Sequence, residues 1–341
     1  MKVVAIKSAK QFAINEVAAP TPANGNVLVD VKYAGICGSD IHYWESGEPK
    51  GLVMGHEFSG VVTNPGSRQD LKVGDRVTAL PISPCGHCEP CLSGNPQYCR
   101  ETWSQALGLS LVCPGAFAPK IAVRPDMVVK IPDTVSDEEA AMTEPAAVGL
   151  HAVHLANIKV GSKVLVVGGG VIGLVSAMFA KMQGAKQVVV SETNPARGQN
   201  AVKLKVADAW LDAKDPNFVA KAHQISGGGF DCVIECCGNT PAVQSAVLAV
   251  KPGGRVILAG VSLAPISFLS AVAVTAELDI QGAIAYTKEE FNTCLELIAM
   301  RRINLKPFMS KIVGLQDVQA SFEELTNGQT AAIKILVDPN K

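Results

Sequence analysis

Apolar and polar residues alternate in short runs through the first part of the chain. VVAI near the start and VLVDVKYA after the Pro20-Thr21-Pro22 break read as half-buried strands. FSGVVT and DRVTAL continue the pattern, with Gly74-Asp75 as a turn signal between them. Residues 115–131, GAFAPKIAVRPDMVVKI, return to it. SDEEAAM then opens a helix, with Ser136 as N-cap and Glu139 three residues on. LHAVHLAN, after Glu144-Pro145, reads as helical.

The pattern changes at residues 151–160. SKVLVVG is a buried strand, VIGLVSAMFAKMQ a helix and KQVVVSE a second strand. ARGQNAVKLKV reads as a helix, DAWLDA and FDCVIECCG as strands, PAVQSAVLAV as a helix, and RVILAG and LDIQGAIA as the last strands. Such βαβ alternation predicts a doubly wound parallel sheet over residues 151–286. KEEFNTCLELIAMRR is an amphipathic helix with Phe291, Leu295 and Ile298 on one face. The tail beyond it returns to strand and helix pieces. It most simply rejoins the opening β-rich domain, so that residues 1–150 and 287–341 form one discontinuous domain.

A chain of 341 residues fits two domains. A net charge of -1 with no long basic or acidic block argues against a nucleic-acid or membrane-surface partner. The first residues carry charges throughout and have no signal-peptide core, and the uncharged run 164–180 has a glycine triplet that suits a strand, turn and helix rather than a membrane span. Thiols in a reducing cytoplasm are the expected state of the ten cysteines.

Four of them, Cys85, Cys88, Cys91 and Cys99, have two, two and seven residues between them, in a loop rich in Gly, Pro and Asn. Four thiolates at such spacing suit a closed structural zinc site, and the metal would supply order that the loop cannot draw from packing. An iron–sulfur cluster is the rival reading. His87 lies between two of the ligands and reads as a solvated loop residue.

Residues 35–62, GICGSDIHYWESGEPKGLVMGHEFSGVV, hold a second set. A catalytic zinc has three protein ligands and one open position. Cys37 and His56 supply two, and Glu57 and Glu144 compete for the third. Ser39 and His42 are candidates for a proton relay; Tyr43 and Trp44 either line the substrate pocket or serve ordinary packing, with equal weight. Gly168-Gly169-Gly170-Val171-Ile172-Gly173 matches G-x-G-x-x-G after an apolar strand and before a helix, the context a dinucleotide site needs. Gly168 makes the turn, Gly170 lets the backbone approach a pyrophosphate, and Gly173 lets the helix pack on the strand. Glu192 ends the next strand, where a carboxylate binds the ribose hydroxyls of NAD; Arg197, five residues on, softens its bias against NADP. Together these features imply hydride transfer from an alcohol carbon to a nicotinamide, with zinc as Lewis acid.

GICGSDIHYW, GHEFSGVV, the four-cysteine loop, EPAAVGLHAV and GGGVIG occur in one order over essentially the whole length. In this the chain resembles the zinc-dependent medium-chain dehydrogenases, and among them the sorbitol, polyol and butanediol dehydrogenases. The resemblance implies a GroES-like catalytic domain interrupted by a Rossmann domain. It implies catalytic zinc at Cys37, His56 and Glu57 or Glu144, structural zinc at the four cysteines, and a homodimer or homotetramer. It also implies a small alcohol, polyol or sugar-acid substrate. Where sorbitol dehydrogenases tend to show an Arg-Tyr pair, this chain has Ala285-Tyr286; Tyr286 is the matching substrate candidate, and the missing guanidinium turns the expectation away from sorbitol towards butanediol-type relatives. The family's GGFAEY reads Gly115-Ala116-Phe117-Ala118-Pro119-Lys120, and the loop from Trp44 to Gly55 is short. A threonine-type amino-alcohol dehydrogenase ranks lower, for want of a basic residue assigned to a substrate carboxylate. A non-catalytic nucleotide-binding module ranks last, because every ligand and relay residue is present.

Overall fold

The structure, a computed structural model, describes residues 1–82 and 84–341. Two compact units share the chain: Met1–Glu144 with Thr287–Lys341, and Pro145–Tyr286. The first junction lies six residues before the expected 150/151 step. It falls in the first turn of helix Thr143–Leu155, which starts earlier than the LHAVHLAN pattern suggests. Pro145 is tolerated there because a first-turn residue has no intrahelical partner for its N–H.

The first unit is built on a seven-stranded sheet. Its strands run in the order Met309–Gly314, Lys334–Asp338, Val27–Gly35, Glu57–Asn64, Arg76–Ala79, Val128–Lys130, and Lys120–Val123 also pairs with Val27–Gly35. Strand Val27–Gly35 forms where apolar residues recur every second position. Val27, Val29 and Val31 are fully buried, each contributing about 1.5–3 kcal/mol. The C-terminal strand Lys334–Asp338 lies antiparallel to it, with Leu336 opposite Gly35, while Glu57 pairs with Gly35 on the other side. Three distant segments therefore converge at one sheet position. Lys2–Ser8 and Gln11–Glu16 form a separate hairpin. Helix Gly38–Ser46 buries Trp44 in the core, where it stacks with Phe12 at 6.4 Å and meets Phe322 at 5.7 Å. Trp44 thus takes the packing alternative of the sequence reading.

The second unit is a six-stranded parallel sheet in the order Ala209–Asp212, Gln187–Glu192, Lys163–Val167, Phe230–Glu235, Val250–Leu258, Asp279–Gly282. This order reverses between Lys163–Val167 and Phe230–Glu235, the feature of a dinucleotide-binding sheet. Its central strands are near-continuous apolar runs because helices cover both faces; Val164–Val166 and Val188–Val190 are fully buried. Helices Phe218–Ser226 and Ser270–Thr275 also occur, and neither was expected from the pattern. No helix among the described residues is long and apolar enough to cross a membrane.

Candidate zinc and dinucleotide sites

Cys37 ends the loop after strand Val27–Gly35; Glu57 opens the strand that pairs with it, and His56 immediately precedes it. Their ligand atoms all lie within 4.8 Å of one another. A thiol, an imidazole and a carboxylate gathered at that spacing, the first half-buried and the other two buried, fit the donor set of a zinc ion. Glu144 is outside this cluster but is buried at the start of its helix, and its charge reaches Lys334.

Lys334, on the C-terminal strand, was missed by sequence reasoning. It is fully buried, and its Nζ donates to Glu57 Oε1 at 2.8 Å, Glu57 Oε2 at 2.6 Å and Ile36 O at 2.8 Å. Burial pushes its ammonium down, but Glu57 and then Cys37 outweigh that and hold its pKa above the ordinary value. A carboxylate has about four lone-pair positions, so Glu57 can hold Lys334 and still offer electrons to a metal. The available signal was a lysine inside the apolar run AAIKILV, a placement that is rare without a partner.

Asp40 was also missed. Its Oδ2 accepts the Cys37 N–H at 2.9 Å, and its Oδ1 lies 3.4 Å from His56 Nδ1, an ion-pair separation longer than a good hydrogen bond. One buried carboxylate thus orients two candidate ligands, as outer partners do in metal sites. Burial lowers the His56 pKa, but Asp40 and then Cys37 outweigh it and hold the imidazole well above its ordinary value. A bound cation would displace that proton. Gly35 is the third missed residue: a Cβ there would lie 1.9 Å from Glu57 Oε2, so the carboxylate occupies space that only glycine leaves.

Ser39 Oγ donates to Cys37 Sγ at 3.3 Å. His42 is half-buried one turn further along helix Gly38–Ser46, and residues at that spacing share a helix face. Tyr43 is half-buried and packs against the core. Tyr286 is buried, at 1 % exposure.

In the cysteine loop, Cys88 Sγ lies 3.4 Å from Cys91 Sγ, and Cys85 Sγ 3.9 Å from Cys91 Sγ. Two thiolates on a tetrahedral zinc with bonds of about 2.3 Å stand about 3.8 Å apart, and a disulfide is far shorter, at about 2.05 Å. All four sulfurs lie within 4.8 Å of one another, which fits a single ion and leaves no room for an iron–sulfur cluster between them. The Cys85 N–H, working against burial and with the Thr102 N–H, brings the Cys99 thiol down to about 6. His87 is exposed, with Nδ1 2.9 Å from Cys85 O.

In the second unit Gly168 turns the chain at φ 106°. A Cβ on Gly173 would lie 1.9 Å from Gly168 O, whereas one on Gly170 would meet nothing within 4 Å. Gly173 therefore serves close packing, and Gly170 borders open space at the N-terminus of helix Val171–Met182, whose first residues Val171 and Ile172 are half-buried. Free N–H groups at such a terminus suit a phosphate. Glu192 accepts the Gly169 N–H at 2.8 Å on Oε2 and the N–H groups of Thr193 and Asn194 at 2.7 and 2.9 Å on Oε1. The carboxylate is held beside the glycine turn. Arg197 is half-buried on helix Pro195–Lys203.

Residues 23–133 match the alcohol dehydrogenase GroES-like domain, and residues 171–300 match the zinc-binding dehydrogenase domain. D-xylulose reductase A of Aspergillus oryzae is 32% identical over 324 residues, covering 92% of this chain and 89% of that protein. A zinc-binding dehydrogenase of Sinorhizobium meliloti, solved with NADP bound, superposes with a TM-score of 0.89 at 30% identity, covering 99% of each chain. The 2R,3R-butanediol dehydrogenase of Bacillus subtilis gives 0.87 at 29% identity, again over 99% of each chain. With both domain matches and a relative aligned over nearly its whole length, the chain belongs to the zinc-dependent medium-chain alcohol dehydrogenase family.

Proposed function

We propose that this enzyme oxidises a secondary hydroxyl of a polyol or sugar-like alcohol, with NAD as the acceptor. The observation that carries the reading is the close cluster of Cys37, His56 and Glu57 with the Ser39 hydroxyl on the Cys37 sulfur. When bound, zinc supplies Lewis acidity to a substrate oxygen and the nicotinamide accepts the hydride. Cys37, His56 and Glu57 are the ligands, and Glu144, whose charge reaches Lys334, is the second carboxylate of the site. Ser39 takes the hydroxyl proton and hands it to His42 for delivery to solvent. Lys334 holds the Glu57 carboxylate in place through both of its oxygens. Cys85, Cys88, Cys91 and Cys99 hold a structural zinc.

Names among the relatives, a D-xylulose reductase and a butanediol dehydrogenase, support a substrate with neighbouring hydroxyl groups. Glu192 beside the glycine turn favours NAD, since its charge opposes a 2′-phosphate. A reducing, cytoplasmic setting agrees with ten free cysteines. A homodimer or homotetramer is supported by exposed Val261, Leu263, Leu269, Val274 and Ile284, which lie in the chain on either side of the edge strand Asp279–Gly282.

A panel of polyols, vicinal diols and aldonates followed by NADH absorbance tests the substrate class, with NADP run in parallel. Glu57→Gln should lose the zinc of this cluster. Glu144→Gln should keep it and lose turnover by about a hundredfold or more. Polyol oxidation that survives complete zinc removal, or a higher kcat/KM with NADP, would refute the corresponding part.

A further inference from the structure

The buried carboxyl of Glu235 has no part in the chemistry above. It ends strand Phe230–Glu235, opposite Val167 across the point where the strand order reverses. In sheets of this kind the ligand crevice lies outside the carboxyl ends of the strands at that point. One lip of the crevice is the glycine turn that begins at Gly168. The facing lip is the turn Cys236–Gly238, which follows Glu235 directly.

Glu235 is fully buried, and its Oε1 accepts the N–H of Cys237 at 2.6 Å and of Gly238 at 2.9 Å. Its backbone carbonyl accepts from Ala259 at 2.8 Å and Gly260 at 2.9 Å, so the same residue ties in the next turn as well. These turns are tightly packed. Gly238 sits at φ 67°, and a Cβ on Gly260 would lie 2.1 Å from Gly238 N. Cys237 in turn leans on the glycine turn: a Cβ on Gly168 would lie 2.7 Å from its Sγ, and that thiol donates to Val167 O at 3.5 Å. A chain of contacts runs from Glu235 through Cys237 to the first glycine of the fingerprint.

The other oxygen, Oε2, is buried with no hydrogen-bond partner among the described residues. Burial raises the pKa of the carboxyl above its ordinary value, and the Cys237 and Gly238 N–H groups only partly offset this. A negative charge is therefore poorly supported here. What the site uses is one acceptor atom at a fixed reach.

We propose that Glu235 is a positioning residue for the dinucleotide: by accepting the Cys237 and Gly238 N–H groups on one oxygen, it sets the wall of the cofactor crevice that faces the glycine turn. It touches no reacting atom and acts through the turn. The inference rests on the fingerprint binding a nicotinamide dinucleotide.

Calorimetric titration with NADH tests it without an identified alcohol. Glu235→Met keeps length and apolar packing but removes the acceptor. It should raise the Kd for NADH about tenfold or more, equivalent to about 1.4 kcal/mol, while the zinc content of the first unit is unchanged. Glu235→Gln keeps the acceptor and should restore affinity to within about threefold of the parent, a loss of under about 1 kcal/mol. If Glu235→Met does not fold, Glu235→Asp replaces it: aspartate keeps the carboxyl but stops one methylene short of the turn, and should bind NADH more weakly than Glu235→Gln. Parental affinity in Glu235→Met would overturn the proposal, and so would a Glu235→Gln protein as weak as Glu235→Met or Glu235→Asp. A parent protein that binds no NADH would refute the cofactor reading itself, a result distinct from either.

Discussion

At the scale of single residues, the candidate zinc cluster depends on neighbours to which the sequence reading assigned no role. Cys37, His56 and Glu57 stand out in the sequence because their types are zinc ligands. Asp40, Lys334 and Gly35 do not, since each acts by what it lets a neighbour do. Gly35 gives the sharpest prediction. A Cβ there would lie 1.9 Å from Glu57 Oε2, and that carboxylate cannot swing away freely because Lys334 grips both oxygens. Gly35→Ala should therefore lose the zinc of this cluster and keep that of the cysteine loop, with activity down about 10–100-fold. Metal analysis of the purified protein beside an activity assay checks this, and full zinc content with parental turnover would count against it.

At the scale of elements, the short helix Asp137–Ala141 shows how a cap and an ion pair combine. Ser136 accepts the Glu139 N–H, and the Glu139 carboxylate reaches back to the Ser136 N–H at 3.1 Å. The sequence pattern anticipated that capping box. It did not reveal Arg301, which arrives from just beyond helix Lys288–Ala299 and donates to both Glu139 oxygens at 2.9 and 3.0 Å. Burial pushes the Glu139 carboxyl up, but the Ser136 N–H and the guanidinium outweigh it and hold its pKa below the ordinary value. A lowered carboxyl contributes stability that is present above its unfolded pKa of about 4.3 and is lost as pH falls through the folded value. Glu139→Gln should cost about 1.5–3 kcal/mol at pH 7. The gap to the parent should close progressively below about pH 4. Denaturant unfolding at pH 7 and pH 3 measures both, and a gap equally wide at the two values would refute the assignment.

At the scale of the molecule, the first unit is discontinuous, and its last strand is interior to the sheet. Lys334–Asp338 lies between Met309–Gly314 and Val27–Gly35 and also carries Lys334. A chain ending at Thr330 should fail to assemble this unit, because it would bare two unpaired strand edges and leave Glu57 buried without its cation. Loss of cooperative unfolding and of cluster zinc would show this, and a folded, zinc-loaded truncation would contradict it. Much of the architecture was legible in the sequence because its cues are local. Strand alternation, the βαβ rhythm, the glycine triplet before a helix and the cysteine spacing each draw their meaning from residues within about one turn or one loop. Helix Phe218–Ser226 escaped because it is only nine residues long, and the choice between pocket and packing for Trp44 stayed open because its neighbours in sequence are candidate site residues while its neighbours in space are Phe12 and Phe322. By itself, then, the sequence determined the two-part plan, the candidate metal-binding side chains short of a choice between Glu57 and Glu144, and the place of the glycine turn, since periodicity, residue type and spacing are properties of the chain. Only the tertiary structure decided that Glu57 stands with Cys37 and His56, that Lys334 and Asp40 support them, and that Glu235 braces the turn opposite the glycines. Those partnerships join residues up to 277 positions apart, or depend on which way a backbone turns, and no local pattern carries that information.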